Sequence, residues 1–275
     1  MFIVKVPSIN GLGRTKGCEN AGNEILKSLK EIYTNESGKK IDASLLDLEE
    51  IHLDNSNLEF TNKLIYENSL EIFESKSRVV FLGGDHSISY SLAKAFLDSC
   101  KKQDSERKPC LIIFDAHPDC MPSIGSKKNK FPTHEEWLRA LIEDGFPPEN
   151  VLLVGVRNPY SEEIEFLKKN SIKIISMNQI IANLHDTCDI IMEFSNNRDL
   201  YLSIDIDVID PAFAPATGYL ESGGLTSRQF LYIMQRMNKM KNLKAVDIVE
   251  INSEKDKKFN DLTLKLGAKI LSEVL

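Results

Sequence analysis

Three short apolar runs, Val79-Val80-Phe81-Leu82, Leu111-Ile112-Ile113-Phe114 and Leu200-Tyr201-Leu202, each lead into a cluster of polar residues. The clusters read Gly83-Gly84-Asp85-His86-Ser87, Asp115-Ala116-His117-Pro118-Asp119 and Ser203-Ile204-Asp205-Ile206-Asp207. Continuous, largely β-branched runs of this length are the pattern of strands buried on both faces. A carboxylate or imidazole at the carboxyl end of such a strand is costly to desolvate unless a charge pairs with it. Three such ends with convergent oxygen and nitrogen donors point to one metal site.

Strand-like and helix-like segments alternate along nearly the whole chain. Strands are expected at Phe2 to Val6, Val79 to Leu82, Cys110 to Phe114, Val151 to Val156, Ile172 to Ser176, Leu200 to Ile204 and Leu243 to Val249. Helical spacing covers Asn23 to Tyr33, Asn57 to Phe73, Ser87 to Ser99, Glu162 to Asn170, Leu184 to Phe194, Thr226 to Met237 and Leu262 to Leu275. A further helix is expected from His134 to Glu143, opening behind Thr133 as its cap. Strands separated by crossover helices pair in parallel. The fold class is therefore α/β, a three-layer α/β/α arrangement with a doubly wound, mostly parallel sheet of about eight strands. Residues 1–275 read as a single catalytic domain, since no linker or repeat divides them. In such folds ligands bind beyond the carboxyl ends of the strands, where all three clusters lie.

Composition narrows the function classes. With 275 residues and 42% hydrophobic content the chain can bury a large core. The net charge of -7 argues against a nucleic-acid partner, which needs a basic face. Five scattered cysteines, Cys18, Cys100, Cys110, Cys120 and Cys188, lack CxxC spacing and fit a reducing compartment. Cys120 reads as a buried spectator thiol. No run is long enough to span a membrane and no signal peptide is visible, so a cytoplasmic protein is expected. Lys101 to Lys108 and Ser123 to Lys130 read as polar surface loops.

The donor set follows from spacing. Asp115, His117 and Asp119 alternate, and a fully extended chain would hold the two aspartates about 13 Å apart, too far for one site. The strand must end near Phe114 or Asp115 and curl, helped by Pro118. Asp205 and Asp207 repeat the pattern on another strand, and His86 adds a nitrogen from a third. Four carboxylates and two imidazoles without a thiolate favour manganese over zinc. Four negative charges are neutralised by two divalent cations, so two are inferred. Asp85 is expected to orient a ligand, and Asp210, before Pro211, to start a turn.

Together with Asp210-Pro211-Ala212-Phe213-Ala214-Pro215, Thr217-Gly218, Gly223-Gly224-Leu225-Thr226 and Val249-Glu250-Ile251-Asn252, these blocks closely resemble the arginase/agmatinase (ureohydrolase) family. The resemblance implies two Mn2+ per chain, with Asp115 and Asp205 bridging them. His86 and Asp119 would complete one coordination shell, His117 and Asp207 the other. It implies hydrolysis of a small guanidino substrate to urea and an amine, with Asp119 handling the proton of the attacking water. Glu250 matches the carboxylate that holds the guanidinium. His134 falls where the family places a proton-shuttling histidine, and Thr217 matches a pocket-lining residue. Relatives commonly form trimers or hexamers, so a homo-oligomer is expected.

The substrate is less constrained. Arginases carry an asparagine shortly after the second cluster to bind the amino-acid head of arginine, whereas this chain has Cys120-Met121-Pro122-Ser123-Ile124. That favours agmatine over arginine. Lys127, Lys128 and Lys130 would instead suit a distal carboxylate, as in guanidinobutyrate or a formimino amino acid. In the segment Ala216 to Ser222, Tyr219 and Leu220 depart from the family's usual Gly, Thr and Pro, which would reshape the pocket. A metallophosphoesterase, a deacetylase-like zinc hydrolase and a non-catalytic binding protein are the alternatives outside the family. The first lacks its usual Asn-His pair, the second would need fewer carboxylates, and the third is opposed by the completeness of the donor set.

Overall fold

The computed structural model describes residues 1–11, 13–102, 107–123 and 131–275. In chain order the elements are β1 (Phe2–Val6), α1 (Ala21–Leu29), β2 (Asp47–Glu50), α2 (Leu58–Ser75), β3 (Val79–Gly83) and α3 (Ile88–Lys102). There follow β4 (Lys108–Phe114), α4 (Trp137–Glu143), β5 (Val151–Val154), α5 (Ser161–Lys169), β6 (Lys173–Ile175), α6 (Met177–Ala182) and α7 (Leu184–Phe194). The chain closes with β7 (Arg198–Asp205), α8 (Ser227–Asn238), β8 (Leu243–Val249), α9 (Ser253–Asp256) and α10 (Leu262–Val274). The strands form one eight-stranded sheet of order β2-β1-β3-β8-β7-β4-β5-β6. Every pairing between these strands is parallel.

Side chains alternate across the sheet and build two cores. Val80, Leu82, Ile112, Phe114, Leu202, Ile204, Val246 and Ile248 pack with Ile25, Leu29, Ile191, Phe230 and Ile270 from α1, α7, α8 and α10. Val79, Phe81, Leu111, Ile113, Tyr201 and Ala245 face the other way, onto Ile65, Leu92, Phe96, Leu138 and Phe166 from α2 to α5. Each fully buried Leu, Ile or Phe contributes about 1.5–3 kcal/mol relative to exposure. With both faces covered, the central strands read as continuous apolar runs, as the sequence suggests.

Register positions the site. Leu82 and Ile204 both pair with Ile248, and Phe114 pairs with Ile204. The four central strands therefore end level, and the residues that follow emerge side by side.

Several expectations are corrected. The helix expected at His134 starts at Trp137, so Thr133 is not its cap and His134 lies in the preceding turn. Tertiary bonds explain this: His134 is tied to Glu250, and the Glu135 carbonyl accepts the Met121 N–H. The strand from Val151 stops at Val154 because Gly155 turns the chain at φ 101°. Strand β2, Asp-Leu-Glu-Glu, gives no apolar signal because it is a largely exposed edge strand. Lys101 and Lys102 end α3 and Lys108 opens β4, so that polar stretch is not wholly loop. Lys127, Lys128 and Lys130 lie outside the described residues. Among the described residues no helix is long and apolar enough to cross a membrane.

Candidate metal centre and substrate pocket

His86, Asp115 and Glu250 follow β3, β4 and β8, and Asp205 ends β7; these are the four central strands whose tips are level. The turn after β3 needs glycine at position 84, where a Cβ would come within 1.9 Å of the Ser8 carbonyl oxygen. Asp119 and Glu250 sit at φ 51° and 64°, uncommon for non-glycine residues. Each is locked by main-chain bonds, Leu138 N–H to the Asp119 carbonyl and Glu250 N–H to the Gly84 carbonyl. Strained backbone of this kind, costing of order 1–3 kcal/mol, gathers at functional sites.

The predicted donors converge. His86 Nδ1 lies 3.0 Å from Asp115 Oδ2, 2.9 Å from Asp119 Oδ2 and 3.3 Å from Asp205 Oδ2. His117 Nδ1 lies 2.9 Å from Asp207 Oδ2 and 3.6 Å from Asp115 Oδ1. Two groups able to hold a metal ion result, His86–Asp115–Asp119–Asp205 and Asp115–His117–Asp207. Asp115 belongs to both. Asp205 joins only the first; its Oδ2 lies by His86, while its Oδ1 accepts the Asp207 N–H at 2.8 Å.

The tautomer of His86 follows from a chain of bonds under the site. Ser203 Oγ donates its single proton to Asp247 Oδ1 at 2.8 Å and lies 2.9 Å from His86 Nε2. It can only accept from the imidazole, so Nε2 carries a proton, and in the neutral ring Nδ1 is left to present its lone pair to a metal. Asp247 is fixed in turn by Tyr201 Oη, Ser89 Oγ and the Ile204 N–H. Although His86 Nδ1 faces three carboxylate oxygens, neither it nor Asp115 Oδ2 has a partner of hydrogen-bond geometry, and both are fully buried. Acceptors crowded together in the dry interior call for positive charge among them, which either a protonated imidazole or a bound cation supplies. The residues fit a metal. Burial and the charge of Asp115 push the Asp119 carboxyl up to about 7, against the pull of His86. Burial and neighbouring carboxylates also raise Asp205 and Asp207. Positive charge among these groups is what would relieve them.

Beside the donor cluster a cavity of about 90 Å³ is lined by His134, Thr217, Glu250, Tyr219, Glu135, Glu221 and others. Glu250 Oε1 accepts the His86 N–H at 3.0 Å and lies 3.1 Å from His134 Nδ1. The carboxylate cannot donate, so His134 Nδ1 does. Among the described residues Glu250 Oε2, His134 Nε2 and Thr217 Oγ1 are buried without hydrogen-bond partners, although Glu135 Oε1 lies 3.8 Å from His134 Nε2. Burial disfavours the His134 imidazolium, but Glu250 outweighs it and the pKa rises to about 9.

Other sequence expectations resolve differently. Asp85 orients no metal donor by its side chain. Its oxygens accept the Asn10 N–H, the Thr15 hydroxyl and Ser87, clasping the loop after β1 onto the site. Asp210 does act as a turn residue, accepting from Ala212, Gly223 and Gly224. Cys120 is buried, its thiol pushed up by burial, then by Glu163 and Asp119. Ser203, Asp247 and Trp137, whose indole N–H donates to Asp119 at 2.9 Å, are supporting residues that the sequence reading missed. A lone Asp inside the apolar strand Leu-Lys-Ala-Val-Asp-Ile-Val was the available signal for Asp247.

The model of the Arginase family matches residues 1–275, the whole chain. The chain belongs to the arginase family. Agmatinase from Bacillus subtilis (strain 168) is 29% identical over 237 residues, 85% of this chain and 75% of that protein. Agmatinase from Bacillus anthracis is 30% identical over 232 residues, 83% and 73% of the two chains. In fold, the chain is similar to the crystal structure of formimidoylglutamase from B. subtilis, with TM-score 0.87, 23% identity and coverage of 99% and 84%. Arginase-family members are metal-dependent hydrolases of guanidino C–N bonds, and the buried His/Asp cluster could hold the metal.

Proposed function

We propose that this protein is a binuclear manganese ureohydrolase that releases urea and an amine from a short guanidino substrate, with agmatine as the leading candidate. The observation that carries this reading is the set of orphaned buried atoms, Glu250 Oε2, His134 Nε2 and Thr217 Oγ1, lining one cavity beside the metal donors. Similarity to proteins named agmatinase supports the choice of substrate.

The residues divide the work. His86, Asp115, Asp119 and Asp205 would hold one cation, and Asp115, His117 and Asp207 the other. An oxygen-rich set without thiolate suits manganese. Two divalent cations, when bound, supply a water acidic enough to attack near neutral pH. Glu250 receives the guanidinium through Oε2 while His86 and His134 fix its other oxygen, which suits planar charge-assisted pairing. As the C–O bond forms, Asp119 accepts a proton. As the C–N bond breaks, His134 Nε2 delivers one to the departing amine, and an imidazolium with pKa about 9 is charged for that task at neutral pH. Met121 lines the cavity two residues after Asp119, in place of the asparagine that would bind an amino-acid head.

The test is urea release by manganese-loaded protein from agmatine, arginine and guanidinobutyrate, with ammonia and formamide assays for formimino compounds. Agmatine is expected to give the highest kcat/KM. Absence of urea from every guanidino compound, at full metal content, would refute the reading.

A further inference from the structure

We propose that Glu135, Tyr219 and Glu221 form a distal subsite that selects guanidino substrates bearing a second positive charge on a short alkyl chain. It rejects those ending in a carboxylate. This rests on the functional reading above and extends it to the far end of the substrate.

Away from Glu250 the cavity is lined by Met121, Glu135, Asn158, Tyr160, Tyr219 and Glu221. The four aspartates of the donor cluster match two divalent cations, and Glu250 matches the guanidinium. Glu163 commits both oxygens to the N–H groups of Cys120 and Tyr160. Glu135 and Glu221 remain; the His134 imidazolium, 3.8 Å from Glu135 Oε1, offsets one negative charge, Arg14 lies behind the Tyr219 ring, and no lysine or arginine is among the described lining residues.

Both carboxylates are built into place. Tyr219 Oη donates to Glu135 Oε1 at 2.6 Å. The Tyr219 ring lies 5.8 Å from His117 and 5.7 Å from His134, which sets it over the cavity, and the Arg14 guanidinium stacks on it at 4.7 Å. Glu221 is anchored by its carbonyl, which accepts from Arg157 at 2.7 Å. Its Oε1 accepts from Asn158 at 2.8 Å and lies 3.3 Å from His117 Nε2. Each carboxylate thus uses one oxygen, and Oε2 of each has no hydrogen bond among the described residues. Thr217 Oγ1 and His134 Nε2, 3% and 4% exposed as residues and without hydrogen-bond partners among the described residues, line the same cavity and mark it as the seat of a polar ligand. An ammonium group has three donors for such oxygens. A carboxylate would meet like charge, the arrangement that suppresses wrong partners.

The experiment compares 4-aminobutylguanidine, butylguanidine and 4-guanidinobutyrate as substrates of the full-length, manganese-loaded protein. The expected kcat/KM order is ammonium, neutral, carboxylate, with about tenfold between successive compounds. In E135Q/E221Q the ammonium-to-carboxylate ratio should fall at least about tenfold, chiefly through KM. Y219F, which drops the bond to Glu135, should lower it less. Because each ratio is taken within one preparation, a partly unfolded variant still reports. Preference for the carboxylate compound, or an unchanged ratio in the double variant, overturns the subsite. Hydrolysis of butylguanidine with no ranking by charge removes the subsite and leaves the ureohydrolase reading standing. Hydrolysis of none of the three removes both.

Discussion

The floor of the pocket and its rim are built by opposite means. The floor hangs on four adjacent strands whose tips are level, and its side chains are buried and held by main-chain bonds or by the Ser203–Asp247 relay. The rim joins four loops distant in sequence through side chains, with Tyr219 reaching Glu135 and Arg14, and Glu221 reaching Asn158 and Arg157. A change in the floor leaves a buried charge or donor stranded, which is expensive, whereas a change in the rim moves groups that water can still serve. Chemistry is therefore expected to be rigidly encoded and substrate choice to be easily altered.

That contrast can be broken by measurement. The largest effect is expected for Asp119→Asn or Asp205→Asn, which should lower bound manganese and bring urea release to background. Full activity in either would show that the cluster is not the reaction centre. Next comes Glu250→Ala, expected to cost roughly 2–5 kcal/mol in kcat/KM for the guanidino substrate while metal content stays nearly constant. Loss of metal instead would make Glu250 part of the metal's support. Ser203→Ala and Asp247→Asn should weaken metal affinity about 10–100-fold, as titration against a metal indicator would report. Unchanged affinity would mean the relay fixes no tautomer.

The smallest effect sharpens the boundary between floor and rim. His134 has its pKa raised to about 9 in the folded chain, mainly by Glu250 acting against burial, from an ordinary value of 6.5. The folded state binds the extra proton, so this stabilisation is fully present below about 6.5 and is lost as pH rises through 9. The melting-temperature gap between the protein and His134→Ala should shrink between pH 7 and pH 10. The variant should also lose turnover and alter its pH profile, and an unchanged profile would remove His134 from proton transfer.

The sequence made the floor legible because parallel strands buried on both faces leave an apolar run, and a charge at its end stands out. His86, Asp115 and Asp205 were visible this way. Asp247 was harder, for its partners Ser89, Tyr201 and Ser203 are near only in space. The helix expected at His134 failed because a long-range bond to Glu250 won over a local capping pattern. Strand β2 was hidden by its exposure, since an edge needs no apolar run. Tyr219 stood out as a departure from pattern, but its hydroxyl partner 84 positions away had no trace in the sequence.

The clasp by which Asp85 grips the loop after β1 has a practical outcome. The amino-terminal segment is a strut of the catalytic wall, since the turn that carries His86 leans on Ser8, Asn10 and Thr15. Replacing Thr15 by valine, which removes one bond of the clasp and leaves β1 intact, should disturb metal loading before it disturbs folding.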